Sequence, residues 1–353
     1  MRIAQIAPLT EAVPPKLYGG TERIVSYLTE ELVDLGHEVT LFASGDSITK
    51  ATLAPMSAKA LRLDPSVRDP NAPLTLMLEQ VYRRRHEFDL LHFHLDYLPF
   101  PLFSRQSVPF VTTLHGRLDL PELQPVFDTF SQAPVVSISD NQRGPLPQAN
   151  WAGTVYHGLP AKLLTPRADA KPAYLAFLGR IAPEKRCDRA IEIAIATNTP
   201  LKIAAKVDRV DVDYFESKIK PMLAHPLIEF IGEINETQKQ DFLANAIGLL
   251  TPIDWPEPFG LVMIEAMACG TPVIAFRHGS VPEVIDEGVT GFAVDSMAEA
   301  IAAVGRLKVL PRAAVRARFD ERFTGRRMAE NYVAIYERLA RQAGQANLRV
   351  AAE

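Results

Sequence analysis

Cysteine is scarce in this chain: Cys187 and Cys269 are the two present in 353 residues. Two thiols so far apart form no disulfide framework, so Cys269 reads as helix packing and the chain as belonging to a reducing compartment. Long apolar runs are also lacking; none approaches the ~20 residues of a membrane-spanning helix. The opening Met1-Arg2-Ile3-Ala4-Gln5-Ile6-Ala7-Pro8 is too short an apolar stretch for a signal peptide, and proline closes it. The expectation is a soluble, cytoplasmic protein, with peripheral membrane contact left open. A basic excess is missing: the formal net charge is −4, which gives no reason to expect nucleic acid as a partner. The dinucleotide fingerprint G-x-G-x-x-G is absent from the first strand-loop-helix, which counts against a dehydrogenase. No short-period repeat is visible. What is present is an ordinary globular composition and enough length for roughly two domains.

The informative stretch is Pro256-Glu257-Pro258-Phe259-Gly260-Leu261-Val262-Met263-Ile264-Glu265, running on to Gly270-Thr271-Pro272. Glu257 precedes a proline and so belongs to a loop. Gly260 lets a helix begin with its backbone open to close approach. From Leu261 to Cys269 the residues are apolar on every side except for Glu265, which marks a buried helix carrying a costly charge. Glu265 lies about five residues into that helix, or roughly 7–8 Å along its axis. Between the two carboxylates lie the backbone N–H groups of the first turn, around Phe259, Gly260 and Leu261, a ready phosphate site. Two carboxylates flanking an anion site suit a ligand with a diphosphate in its middle and hydroxyls at both ends, which describes a sugar nucleotide. The competing reading is a buried helix whose Glu265 pairs with a structural arginine.

Glu257, seven residues, then Glu265 matches the acid-seven-acid motif of retaining glycosyltransferases of the GT-B fold. The seventeen-residue phrase 256–272, with Glu-Pro-Phe-Gly-Leu-Val and Glu-Ala-Met-Ala-Cys-Gly-Thr-Pro-Val, resembles glycosyltransferase family 4. The resemblance implies an α/β fold of two Rossmann-like, doubly wound domains facing across a cleft. We expect an acceptor-side domain at 1–165, a nucleotide-sugar domain at 172–325 and a C-terminal helix at 326–353 crossing back to the first domain, with the tail after 345 frayed. Residues 160–172, polar and proline-flanked, read as the linker.

Along the chain, Ile3–Ala7 reads as a buried strand, followed by a loop ending in Tyr18-Gly19-Gly20-Thr21-Glu22 and a helix from about Arg23 to Leu35. Gly19 and Gly20 allow backbone N–H groups to approach a phosphate or sugar; in the family this loop faces the donor diphosphate. Residues 50–75 read as mostly loop, and a helix is expected near 74–86. His92 and His94 share one face of a strand, but no Cys or carboxylate cluster completes a metal site. Pro109–Leu114 is a strand with His115-Gly116 at its carboxyl end, where parallel sheets hold ligands. The resemblance places His115 beside the reacting bond. Gly153–His157 reads as a strand, and His157-Gly158 stands where the family often has Asn-Gly. Arg180 and Lys185, on the Gly179–Arg186 loop, offer a planar fork and a point charge for phosphate oxygens, as does the Gly-Arg…Lys element of the family. The family usually has glycine after that lysine; here Arg186 stands there. Lys206 replaces a glycine-rich strand end and reaches either ligand or solvent. Ser280 and Glu283 read as a capping box around Pro282.

The function implied is transfer of a sugar, a hexose, from a nucleoside diphosphate to an acceptor hydroxyl with retained configuration. Arg180, Lys185, Glu257 and His115 are the catalytic candidates. Gly19, Gly20, Phe259, Gly260, Leu261 and Glu265 are the donor-binding ones, with Glu265 on the ribose and Glu257 on the sugar. No protein nucleophile is assigned. A UDP-sugar is favoured over a GDP-sugar, and no metal or other cofactor is expected. The sequence names neither the acceptor nor the oligomeric state. The alternatives are another GT-B enzyme, such as an epimerase or a phosphorylase, and a non-catalytic nucleotide-sugar sensor.

Overall fold

The computed structural model describes residues 1–16 and 19–350, with side chains described to residue 345. The chain divides into two compact units, residues 1–158 with 325–353, and residues 159–324. It leaves the first unit between Gly158 and Leu159 and returns between Thr324 and Gly325. Tyr18 lies outside the described residues.

The first unit holds a sheet of seven parallel strands in the order β3-β2-β1-β4-β5-β6-β7. These are Arg2–Ile6, Glu38–Ser44, Thr52–Ser57, Leu90–Phe93, Phe110–Thr113, Pro134–Ser137 and Asn150–Thr154, numbered β1 to β7 in chain order. Central strands β4 and β5 are buried at every position, as expected for a parallel sheet covered on both faces. The second unit holds six parallel strands in the order β10-β9-β8-β11-β12-β13. They are Tyr174–Arg180, Leu201–Lys206, Ile228–Gly232, Ala246–Thr251, Val273–Phe276 and Gly291–Val294, β8 to β13. Counted within the unit this is 3-2-1-4-5-6, the doubly wound order. In each sheet the order reverses beside one strand, β1 in the first and β8 in the second. Ligands of such sheets sit outside the carboxyl ends at that reversal. Two strands that carry candidate residues end there: β8 delivers Arg180, and β11 leads to Glu257.

Several expectations are corrected. Residues 50–75, expected as mostly loop, hold the start of the helix Asn71–Arg84 and the strand β3. It is the edge strand, and it carries Pro55 paired with Ala43; an edge tolerates the missing N–H that disguised it. The helices expected at 23–35 and 74–86 run Gly20–Asp34 and Asn71–Arg84. Strand β7 ends at Thr154, so His157 lies beyond it. No capping box forms at Ser280. Its hydroxyl instead donates to the Phe259 carbonyl at 2.8 Å. A capping box does form at Asn235, with Gln238. Residues 160–172 are tied down within the second unit, where Arg316 donates to the carbonyls of Ala161 and Leu164, each at 2.7 Å. The last helix, Gly325–Val350, keeps a helical backbone past residue 345; residues 351–353 lie outside the described residues.

Candidate functional site

In the second unit the central motif forms a loop and an eight-residue helix, Leu261–Ala268. Gly260, at its start, has φ 79°, a left-handed conformation that costs glycine little. Phe259 is 2% exposed and meets Phe323 edge-on. Its side chain is therefore core, and what it can offer a ligand is backbone. Glu265 is 4% exposed. Its partner is neither an arginine nor solvent but Lys239, whose Nζ lies 2.7 Å from Glu265 Oε1 and 2.7 Å from Glu236 Oε1. Burial pulls the Lys239 ammonium down, and Glu265 and Glu236 more than offset it, so its pKa is raised. The sequence alone does not single out Lys239, which sits among polar residues of the helix Glu236–Ala244.

Glu257 accepts from Lys185 Nζ, and from Trp255 Nε1 at 3.0 Å. Lys185 also sits 4.9 Å above the Trp255 ring, a cation–π contact. An ammonium has three N–H donors, so binding Glu257 leaves Lys185 with others. Arg180, the last residue of β8, is ringed by acids. Its Nη2 donates to Glu184 at 2.6 Å, while Asp211 lies 3.5 Å from Nε and Asp208 3.8 Å from Nη1. Lys206 does reach a charge, Asp208, at 2.8 Å. The structure thus brings Lys185 together with Glu257, and Glu265 with Lys239. It holds Arg180 in an acidic ring that sequence reasoning missed.

Arg186, standing where the family has glycine, takes the glycine conformation, with φ 52° and ψ 49°. A non-glycine residue there costs roughly 1–2 kcal/mol. Compensation comes from Asp188, held at 3.0 Å by two guanidinium nitrogens, and from Asp254 at 2.8 Å. Asp254 in turn donates its backbone N–H to the Glu184 carbonyl at 2.8 Å. Arg186 therefore ties the Arg180–Lys185 loop to the loop that leads to Glu257.

Gly279 and Ser280 are supporting residues that the sequence hid behind the capping-box reading. The Ser280 N–H donates to the Glu257 carbonyl at 3.0 Å. Gly279 has φ 58°, and a Cβ there would fall 2.3 Å from the Glu257 oxygen and 2.4 Å from its nitrogen. Gly279→Ala is expected to push the Glu257 peptide aside and lower kcat/KM by about 10-fold or more, since a 1 Å misplacement can cost about 100-fold. Gly288→Ala is the control: it has φ 72° and open space around the added carbon. Steady-state rates for both variants decide; equal losses would show that the Glu257 contact is not what matters.

In the first unit Gly19 packs tightly. A Cβ on it would lie 2.9 Å from Pro15 Cβ and 3.1 Å from a Glu22 carboxylate oxygen, whereas Gly20 faces open space. His115 joins a cluster. Its Nε2 is 2.9 Å from His94 Nδ1, and its ring stacks on His157 at 5.3 Å. His92 and His94 do share a face, with rings 4.1 Å apart. Among the described residues no group of three or more His, Cys, Asp or Glu is arranged to hold a metal. Burial lowers the His115 imidazole to about 3, and His92, His94 and His157 well below the usual range.

Those depressions fix a pH dependence. The folded state keeps the four rings neutral, while the unfolded chain protonates them below about 6.5. The unfolded state then binds more protons, so stability is fully present above about pH 6.5 and falls as pH drops toward the folded values. Each ring contributes about 1.4 kcal/mol per pH unit well below 6.5. Urea midpoints measured from pH 7 to pH 5 should fall more steeply than one histidine can explain. A flat profile would contradict the buried cluster.

With this geometry in place, comparison with known proteins identifies the class. The family model for glycosyl transferases group 1 matches residues 165–323, and that for Glycosyltransferase Family 4 matches residues 18–188. The chain belongs to glycosyltransferase family 4 and is a glycosyltransferase. The D-inositol 3-phosphate glycosyltransferase of Thermobispora bispora is 27% identical, over 92% of this chain and 91% of that protein. Among solved structures, AviGT4, a glycosyltransferase involved in avilamycin A biosynthesis, superposes with a TM-score of 0.73 at 23% identity, over 96% of this chain and 98% of its own. Anabaena HepE in complex with UDP and glucose gives 0.69 at 18% identity, over 95% and 98%. Both share the two-domain α/β fold. Among the described residues no helix is long and apolar enough to cross a membrane.

Proposed function

We propose that this glycosyltransferase moves a hexose from a nucleoside diphosphate sugar, a UDP-sugar, to an acceptor hydroxyl with retention of configuration. The observation that carries this reading is the meeting of cations, carboxylates and a helix N-terminus at the carboxyl ends of β8 and β11. Lys185 contacts Glu257, Arg180 stands on the same loop as Lys185, and Glu257 leads into the helix that holds Glu265. The departing diphosphate gains negative charge, and Arg180, Lys185 and the N–H groups around Phe259, Gly260 and Leu261 stabilise it. Glu265 binds the ribose hydroxyls and Glu257 the sugar hydroxyls. His115 serves the reacting sugar, with Gly19 and Gly20 lending backbone contacts. The cations take the place of a metal on the diphosphate, so the reaction is independent of divalent ions. HepE, which shares the fold, has been seen with UDP and glucose, and this supports UDP over GDP. The two cysteines, both unpaired and buried, suit the cytoplasm.

The test is a thermal-shift panel with UDP, GDP and ADP, followed by turnover of UDP-glucose in excess EDTA. A ligand at 100 times its dissociation constant adds about 2.7 kcal/mol. UDP should raise Tm most, and turnover should survive the chelator. No shift with any of the three nucleotides would overturn the donor assignment. Binding without any turnover would favour a sensor.

A further inference from the structure

We propose that Gln5 and His94 fix the tautomer of His115, so that its ring offers a bare Nδ1, a hydrogen-bond acceptor, to a sugar hydroxyl. The role toward a sugar rests on the proposed function; the tautomer itself does not. Gln5 is fully buried in β1. Its amide is held at both ends: Oε1 lies 2.9 Å from His94 Nε2, and Nε2 donates to the Tyr336 hydroxyl at 3.2 Å. An amide oxygen only accepts, so His94 Nε2 carries the hydrogen. A neutral imidazole has one N–H, which leaves His94 Nδ1 as a lone pair. That lone pair faces His115 Nε2 at 2.9 Å, so His115 Nε2 must be the donor. His115 Nδ1 is then bare, and it has no hydrogen-bond partner among the described residues.

The far side of Gln5 obeys the same order. The amide nitrogen, which only donates, also lies 3.3 Å from His92 Nδ1; that nitrogen is therefore the acceptor, and the Tyr336 hydroxyl donates to it at 2.6 Å. His92 Nε2 then donates to Thr113 Oγ1 at 2.7 Å, and Thr113 and Tyr332 share a hydrogen bond of 2.9 Å in which either hydroxyl can donate. Six side chains, from His115 to Thr113, form one directed chain, and a half-turn of the Gln5 amide would reverse every donor in it. Tyr332 and Tyr336 project from the last helix, Gly325–Val350, which therefore helps hold the amide. The consequence is chemical. A bare Nδ1 accepts from a hydroxyl and gives nothing to a phosphate oxygen. Gln5 and His94 are positioning residues acting through His115.

Two-dimensional ¹⁵N–¹H spectra of the full chain with ¹⁵N-labelled histidine, at pH 7.5, read the tautomers directly. His94 and His115 should both appear as the Nε2–H form. An Nδ1–H form or an even mixture for His115 would overturn the proposal. Gln5→Met removes the amide at similar volume. It should release the His115 preference and raise KM for the sugar nucleotide about fivefold, the value of one neutral hydrogen bond. Binding of bare nucleoside diphosphate should stay unchanged. An unaltered His115 spectrum in Gln5→Met would remove Gln5 from control of the tautomer, and an unaltered KM would remove the sugar contact. If no nucleotide binds the wild-type protein while the Nε2–H form is observed, the donor assignment fails and the tautomer chain stands.

Discussion

Lys239→Met should destabilise the second unit by about 3–5 kcal/mol, the cost of removing one partner from a buried ion pair. Glu265 is almost wholly buried on a helix otherwise apolar, and Lys239 supplies the cation that offsets its charge. Methionine keeps the length of the lysine stem and removes the charge, so packing is spared. At 2–4 °C per kcal/mol for a unit of this size, Tm should drop by roughly 6–20 °C. Glu236 is less affected, because its side chain is about a third exposed and water can take the place of the ammonium. The decisive measurement is the double variant. Lys239→Met with Glu265→Gln carries no unpaired buried charge and should be more stable than Lys239→Met alone, a coupling that a double-mutant cycle reads directly. If Glu265 binds the ribose as proposed, nucleoside diphosphate affinity should fall in both, because neither leaves an oriented carboxylate for it. A Lys239→Met protein within 1 kcal/mol of wild type would mean that the pair does not hold Glu265.

The features legible in the sequence were those written locally. A glutamate before proline, a glycine, and a second glutamate in an apolar helix lie within a few turns of chain, and each has a local physical meaning. The alternation of a strand likewise put His92 and His94 on one face. Partners were illegible where they come from elsewhere in the fold. Lys239 is 26 residues from Glu265 and Lys185 is 72 from Glu257, and no periodicity links either pair. Asp208 and Asp211 follow β9 and look like surface charge until the pairing of β8 with β9 puts them beside Arg180. The tautomer chain needs the order β1-β4-β5 and the return of the last helix to the first unit. Edge strand β3 was hidden by its proline. Strand β13 was missed because four residues, Gly291–Val294, carry too little pattern. Arg186 is the instructive departure: the family glycine marks a backbone conformation, and this chain keeps the conformation while changing the residue.

Arg180→Ala should lower kcat by about 100-fold or more, the scale of a lost donor to charge that develops in the transition state. The acidic ring sharpens this expectation. Arg180 is the cation that Glu184, Asp208 and Asp211 surround, with Lys206 reaching Asp208. On the proposed function, its removal takes away a positive charge and also leaves carboxylates facing the donor diphosphate. KM for the donor should therefore rise together with the fall in kcat, unlike a loss of uniform binding, which raises KM alone. The two effects separate in a double variant. Asp211→Asn in the Arg180→Ala background removes one repelling charge and should recover part of KM, but it restores no donor and so leaves kcat low. Arg180→Lys guards against a folding artefact. It keeps a charge opposite the acids but offers a point in place of a planar fork, and it should fall between wild type and Arg180→Ala in kcat. Steady-state kinetics with saturating acceptor measure all three. A kcat for Arg180→Ala within about threefold of wild type, with only KM changed, would take Arg180 out of the transition state and leave it as a structural counter-ion for its three acids.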